Sequence, residues 1–259
     1  MKFLTKPAIR HDNGSSGGGL SWMHRRASLV LIIGTIAATT HLPSFAAALT
    51  EKEVLHHLFS NANGANWVDT WDINSTDICS PTDYFGVKCN SDGHVTEIHL
   101  SDNNLAGSIS PYVYTLPHLK RLDFSKNRIT SAGWDKIDDH VEEDDILADL
   151  EVIELTDNLI NSVQDVSKFS DSLTGLHLSY NNLKGTMPSE LFKMKRLEIL
   201  ALSENEITGH IDTRIGTLTN LIEFYCYGNK LTGSIPTEIG LLTKMKIITV
   251  RFESISCPL

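Results

Sequence analysis

Apolar residues recur along most of this chain in a unit of about 24 residues. They occupy the first, fourth and sixth positions of the unit, and asparagine occupies the ninth position in six copies. A period in the twenties with this pattern predicts a solenoid, in which each coil contains a strand and a helical or extended segment. The coils begin at Val95, Leu119, Leu150, Leu173, Leu197, Leu221 and Met245.

Each position of the unit has a physical role. The fourth and sixth residues, such as Leu176 and Leu178, point to one side of a short strand and are expected to enter the core. Glycine at the thirteenth position permits a tight or left-handed backbone. Proline at the sixteenth position, such as Pro188, ends the strand without needing a donor. Leu191 and Met194, three residues apart, then predict a short helix or 3₁₀ turn.

The ninth-position asparagines are expected to form a structural ladder. Backbone groups at a buried turn lack partners, and a carboxamide donates and accepts hydrogen bonds at once. Stacked asparagines can therefore satisfy the turns above and below. The predicted ladder consists of Asn103, Asn127, Asn158, Asn181, Asn205 and Asn229.

The segment before the repeats predicts a helical cap. Thr50 and Glu53 match a capping box at the start of the amphipathic stretch "EVLHHLF". Trp67 and Trp71 follow, and then the stretch "CSPTDYFGVKCN".

These motifs resemble the plant-type leucine-rich repeat, LxxLxLxxNxLxGxIPxxLxxLxx, which "LTGSIPTEIGLLTK" matches nearly letter for letter. The capping segment is similar to the N-terminal cap of the same family, although Tyr84 and Phe85 replace its usual aromatic residue and its cysteines are farther apart. The resemblance runs from about Leu49 to Leu259. It implies an α/β repeat solenoid, a curved right-handed superhelix with parallel strands on the concave face and a helical N-terminal cap.

The four cysteines are expected to differ in role. Cys79 and Cys89 are close in sequence and belong to a chain that we expect to be secreted, so we expect a disulfide between them. Cys226 and Cys257 fall at different positions of adjoining coils, which favours two unpaired thiols.

The N-terminus carries the features of a secretory signal. His24, Arg25 and Arg26 precede an apolar stretch, and small residues end it near residues 46–48. The apolar stretch is shorter than the roughly 20 residues that span a bilayer. We therefore expect cleavage near residues 46–48 and translation from Met23, while an uncleaved signal-anchor is the alternative.

The predicted domain organisation follows from these segments. Residues 1–48 form the lead and signal peptide, residues 49–94 the cap, and residues 95–259 about six full coils and a shortened last coil. The shortened coil reflects either truncation or an edge that another molecule covers. Asn74 begins the sequon Asn-Ser-Thr and is the predicted glycosylation site.

The charge of the chain argues against several partners. Without residues 1–48, the chain has 17 basic and 31 acidic residues and a net charge of −14. Such a surface repels phosphate backbones and anionic lipids, so we expect no nucleic-acid partner, and a membrane only if the N-terminal segment stays uncleaved.

An acidic insertion lengthens the coil that begins at Leu119 to 31 residues. It occupies residues 135–149 and is interpreted either as a solvated helix face or as a cation or contact site. The candidate ligands are Asp138, Asp139, Glu142, Glu143, Asp144 and Asp145.

We find no catalytic, phosphate-binding or metal-binding motif in the sequence, so we expect no enzymatic activity, cofactor or metal. Recognition is expected on the concave face, where the third, fifth, seventh, eighth and tenth residues of each coil should point outward. Neutral polar and aromatic side chains there suit a wide contact with a protein or glycan. The candidate partner-binding residues are His99, Asp123, His177, Tyr180, Tyr225 and Tyr227. The alternative is that the tyrosines reflect only the β-propensity of strands.

Three functions remain after these exclusions. The first is a secreted recognition protein, similar to polygalacturonase-inhibiting proteins and to the ectodomains of repeat receptor kinases. The second is a membrane-anchored receptor-like protein with its repeats outside the cell. The third is a passive scaffold or wall protein.

Overall fold

The computed structural model describes residues 49–137 and 150–252 as a cap followed by a curved solenoid. Helix α1 (Glu51–Asn61) opens the cap. The strands are β1 (Val87–Cys89), β2 (Val95–His99), β3 (Ala106–Ser108), β4 (Arg121–Asp123), β5 (Arg128–Ser131), β6 (Val152–Glu154), β7 (Gly175–His177), β8 (Lys184–Thr186), β9 (Ile199–Ala201), β10 (Glu206–Gly209), β11 (Glu223–Tyr225), β12 (Lys230–Leu231) and β13 (Ile247–Thr249).

Short 3₁₀ helices complete the coils on the side opposite the main sheet. One further 3₁₀ turn lies in the cap. Their bounds are Gly64–Asn66, Pro111–Thr115, Trp134–Lys136, Val166–Phe169, Ser189–Lys193, Thr213–Thr217 and Thr237–Leu241.

One strand from each coil contributes to an eight-stranded sheet, which we call the concave sheet. Its order is β1-β2-β4-β6-β7-β9-β11-β13. The cap strand β1 pairs antiparallel with β2, and all later pairs are parallel and in register. The 31-residue coil keeps this register, since β4 pairs with β6 as regularly as β7 pairs with β9.

A second set of strands, which the sequence analysis did not separate from the rest of the coil, begins near the tenth position. β3 pairs with β5, and β8, β10 and β12 form a separate parallel sheet. The coil that begins at Leu150 contributes no strand between them, in keeping with its lack of glycine and proline. The tenth residues therefore belong to this second side of the coil and not to the concave sheet, as Arg128 in β5 and Lys230 in β12 show.

The core is continuous from the cap to the last coils. The first, fourth and sixth residues are almost all fully buried, and Leu176 and Leu178 are 0% exposed. Leu191 and Met194 close the core from the 3₁₀ side, as the three-residue spacing predicted. Removing this much apolar area from water is the main favourable term in folding.

The cap closes the first end of the solenoid. Thr50 and Glu53 form the reciprocal capping box at the start of α1. Trp67 and Trp71 are buried, with ring centroids 4.9 Å apart. Cys79 and Cys89 form a disulfide with their Cα atoms 5.8 Å apart, which ties the loop to β1.

The six ninth-position asparagines are buried and bridge neighbouring coils. Asn205 is representative: its Oδ1 accepts from the Leu183 amide at 3.0 Å, and its Nδ2 donates to the Leu178 carbonyl at 2.9 Å, both in the preceding coil. The same Nδ2 donates to two carbonyls of its own coil. Asn103 makes the equivalent pair of bonds with the backbone of Asp69 and so joins the cap to the first coil.

Several predictions lie outside the described residues. They concern the signal peptide, Cys257, and the acidic candidates Asp138, Asp139 and Glu142 to Asp145. Within residues 49–137 and 150–252, no helix has the length and apolar character that a bilayer crossing requires.

We predict that Leu178→Ala lowers the free energy of unfolding by roughly 2–5 kcal/mol, because it leaves a cavity in the core. Leu159→Ala is the matched control, since that side chain is 43% exposed. It should change stability by less than about 0.5 kcal/mol. Urea unfolding of both variants measures the difference, and equal stability losses would contradict the placement of Leu178.

We predict that Asn205→Ala lowers the free energy of unfolding by about 2–4 kcal/mol, because buried backbone donors and acceptors lose their partners. Asn182→Ala, at an exposed position of the preceding coil, should be close to neutral. Urea midpoints test the pair. A neutral Asn205→Ala would show that the ladder does not stabilise the coils.

Candidate functional site

The outer face of the concave sheet is built from the third and fifth residues of each coil. They point outward because the fourth residue points into the core, and the strand register aligns them across the coils. The third positions are Glu97, Arg121, Val152, Gly175, Ile199, Glu223 and Ile247, and the fifth positions are His99, Asp123, Glu154, His177, Ala201, Tyr225 and Thr249. The face is therefore charged in its first coils and mostly apolar or aromatic in its last coils.

Charged groups in the first coils pair with one another between strands. Arg121 donates to Glu154 at 2.9 Å, and the His177 ring lies 3.7 Å from the same carboxylate. His99 Nε2 lies 2.6 Å from Glu97 Oε2. These side chains therefore contact one another within the protein. We call the group the charged end, and it consists of Glu97, His99, Arg121, Asp123, Glu154 and His177.

The remaining charges at this end are also partnered. Hydrogen bonds from His99 and then Lys88 lower the pKa of the Glu97 carboxyl group. His99 Nδ1 lies 3.9 Å from Asp123, whose carboxylate also accepts a hydrogen bond from the Ser125 hydroxyl at 2.6 Å.

Tyr180 in the fourth coil and Tyr227 in the sixth coil, which we call the tyrosine pair, point to solvent. Their side chains are 50% and 38% exposed, and their hydroxyl oxygens lie 3.5 Å apart across the coil between them. The contact with Tyr227 is the main cause of the raised pKa of Tyr180, and the charges of Glu204 and Asp157 add to it. Tyr225 differs, because its hydroxyl donates to Glu223 at 2.7 Å.

The eighth residue of each of the first six coils has a left-handed backbone. Glycine suits this conformation, as at Gly228 with a φ of 67°. Bulky residues rarely adopt it, because it brings Cβ close to the following carbonyl oxygen. The other eighth residues have φ between 53° and 60° and are Asp102, Lys126, Asp157, Tyr180 and Glu204.

Two carboxylates flank the tyrosine pair. Asp157 and Glu204 occupy the eighth positions on either side of Tyr180. A Cβ atom at Gly228 would lie 2.5 Å from the carboxyl carbon of Glu204, so glycine leaves the room that this carboxylate takes beside Tyr227. Neither Asp157 nor Glu204 forms an ion pair with any residue in the described part of the chain.

The structure divides the predicted partner-binding residues into two groups. His99, Asp123 and His177 lie at the charged end, where each contacts a charged neighbour. Tyr225 and Tyr227 lie two coils further along, and Tyr180 lies in the same coil as His177. The register also places His177 beside Glu154 on the adjacent strand, where its ring lies 3.7 Å from the carboxylate.

The two carboxylates beside the tyrosine pair were not among the candidate residues predicted from the sequence. Asp157 and Glu204 were recognised only as outward-facing residues. A signal for them was present, since the eighth position alternates among aspartate, glycine and bulky residues, and aspartate and glycine are typical of left-handed backbone. Across residues 49–137 and 150–252, no group of three or more histidine, cysteine or carboxylate side chains is arranged to hold a metal ion.

Comparison with known proteins identifies the repeat. Three family profiles, each described as a leucine-rich repeat, match residues 115–137, 148–207 and 220–242. Leucine-rich repeat protein 2 of Arabidopsis thaliana is 33% identical over 101 residues, which are 39% of this chain and 42% of that protein. The chain spans less than half the length of the curated relatives it matches.

Solved structures share the fold. The Arabidopsis receptor kinase HAESA, in complex with the peptide hormone IDA and the co-receptor SERK1, matches with a TM-score of 0.65 at 24% identity, over 77% of this chain and 33% of that chain. The ectodomain of the receptor kinase SOBIR1 from Arabidopsis thaliana matches with a TM-score of 0.52 at 26% identity, over 71% of this chain and 95% of that chain.

The accessibility of the Cys226 thiol shows whether this side chain points into the core and its neighbours Tyr225 and Tyr227 point outward. Cys226 lies between them in sequence, is buried, and burial raises its pKa to about 12. We predict that, in a Cys257→Ser variant, a thiol reagent does not modify Cys226 in the folded protein at pH 8 but does so in urea. Raising the pH to 10 should not restore reactivity, because the thiol stays protonated below its pKa. Rapid modification of the folded protein would contradict the inward orientation of Cys226 and the outward orientation of the two tyrosines.

Proposed function

Because this chain is a leucine-rich repeat protein of the plant type, we propose that it is a non-enzymatic extracellular recognition protein. It binds a protein or glycan partner through the concave sheet. The observation that carries this proposal is the contrast between the charged residues of the first coils and the tyrosine pair. The charged end is paired within the protein, whereas the tyrosine pair is exposed.

The chemistry of the exposed end suits recognition. Tyrosine supplies a large contact area at a low cost in side-chain entropy, and it is enriched among the residues that dominate binding energies. Ile199 and Ile247 lie at third positions on the same end and extend its apolar area. Ile247 is 39% exposed, so part of this area is open to a partner.

The organisation of the chain belongs to the same proposal. Residues 1–48 direct the chain into the secretory route, residues 49–94 form the cap, and residues 95–259 form the recognition array. The Cys79–Cys89 disulfide supports this route, because such bonds persist in oxidising compartments. Asn74 is exposed in the cap and is therefore accessible to glycosylation.

The relatives support the class of function and leave the partner open. The structure of HAESA contains a peptide hormone and a co-receptor, and that of SOBIR1 is a receptor-kinase ectodomain. HAESA shares only the fold with this chain, so its hormone is not transferred. The class of partner is therefore inferred from the surface of this protein alone.

We predict that replacing Tyr225 and Tyr227 with alanine weakens partner binding about fivefold or more, because truncation of buried interface aromatics commonly costs over about 1 kcal/mol. Wild-type protein is first screened against a displayed random-peptide library and an oligosaccharide array. The affinities of the variant for the selected ligands are then measured by calorimetry. The melting temperature should not change, since both side chains face outward.

Leu241→Ala is the control, because this exposed side chain lies on the 3₁₀ side of the coil. It should bind every ligand as the wild type does. Unchanged affinity in the tyrosine variant would remove these residues from the binding surface. Finding no ligand in either screen would favour a scaffold protein over a recognition protein.

A further inference from the structure

The tyrosine pair and its two carboxylates form one continuous surface. Asp157, Tyr180 and Glu204 occupy the eighth positions of three successive coils. Adjacent parallel strands lie about 4.8 Å apart, so one carboxylate lies on each side of Tyr180. The Glu204 carboxylate also packs over Gly228, directly after Tyr227.

A buried hydroxyl in the coil between the two tyrosines is a second, independent feature of this place. Ser203 is only 2% exposed, although Ser101 at the same position of the first coil is exposed. Its Oγ has no hydrogen-bond partner among the described residues. The hydroxyls of Tyr180 and Tyr227 meet across the coil that carries Ser203. An unpaired buried hydroxyl is unfavourable, and a donor group entering between the rings can bond to it.

These groups together favour a positively charged donor. The face of a tyrosine ring attracts cations, and arginine is the most frequent partner. Carboxylates form strong, charge-assisted hydrogen bonds with guanidinium and ammonium groups. The chain without residues 1–48 has a net charge of −14, which attracts basic partners over longer distances.

We propose that Tyr180, Tyr227, Asp157 and Glu204 form a binding site for the guanidinium or ammonium group of an arginine or lysine side chain in a peptide or protein partner. The proposal rests on the recognition function above and specifies the chemistry of one part of that surface. We call it the cation site. The ligand cation lies against the tyrosine rings, between the two carboxylates, and donates to the Ser203 hydroxyl.

A glycan is the other class of partner for exposed tyrosines. Neutral sugar rings stack on aromatic side chains but do not neutralise two carboxylates. Asp157 and Glu204 have no counter-ion among the described residues, so the charge balance of the site favours a basic side chain. The experiment therefore includes neutral oligosaccharides as a separate outcome.

The test uses the peptides selected from the displayed library. Each peptide is synthesised with its basic residue and again with a neutral replacement of similar shape, citrulline for arginine or acetyl-lysine for lysine. Calorimetry gives the affinity of each form for the wild type, Glu204→Gln, Asp157→Asn and the control Glu238→Gln. The control makes the same charge change on a partly exposed residue of the 3₁₀ side.

We expect the wild type and Glu238→Gln to bind the charged peptides about five- to tenfold more tightly than the neutral ones. The two site variants should lose most of this preference, because the effects of interacting groups are not additive. Their melting temperatures should match the wild type, which separates lost binding from lost folding.

Equal affinity for the charged and neutral peptides would overturn the cation site. If the Tyr225 and Tyr227 substitutions still weaken those peptides, the recognition function stands without it. If they also have no effect, both proposals fail. Binding of neutral oligosaccharides with no peptide selected would overturn the cation site in favour of a glycan surface.

Discussion

The structure depends on one buried asparagine in each coil. A solenoid must turn its chain inside the protein, where backbone groups lose water, and each group left without a partner costs about 1–3 kcal/mol. A single carboxamide satisfies one amide and up to three carbonyls, and it does so across two coils. The 31-residue coil shows how strong this constraint is. It has extra residues, yet Asn158 makes the same bonds to the preceding coil as the other asparagines do, and β6 keeps the same register.

Because the ladder and the core hold the backbone, the outward residues are free to differ from coil to coil. In the first coils they are charges that pair between neighbouring strands, such as Arg121 with Glu154. In the last coils they are apolar or aromatic, and Tyr180 and Tyr227 meet across a coil instead of within one strand pair. The same scaffold therefore carries paired charges on the strands of its first coils and an exposed tyrosine pair in its fourth and sixth coils.

The regular part of this molecule could be predicted from its sequence because the same residue pattern occurs in seven coils. Leu178, Asn205 and the capping box of Thr50 all follow from local pattern, and the structure places them as expected. Contacts between coils could not be read in the same way. The contact of His177 with Glu154 is an example, because the partner of each side chain depends on register across coils of unequal length. The second set of strands was not predicted either, because these strands have only two to four residues and no hydrophobic period of their own.

The eighth position shows where folding and surface chemistry separate. Its left-handed backbone favours glycine, as at Gly228, and a bulky residue there costs about 1–2 kcal/mol. Tyr180 and Glu204 take this conformation while contributing exposed side chains that add little to the core. The conformation recurs at the eighth position of the first six coils, so it belongs to the repeat, and the surrounding structure holds it in place. Here the surrounding structure is the asparagine ladder. Asn181 and Asn205 each follow the eighth residue directly, and their hydrogen bonds hold the turns in which Tyr180 and Glu204 point outward. The interaction that stabilises each coil is thus also the one that positions the exposed aromatic and acidic groups.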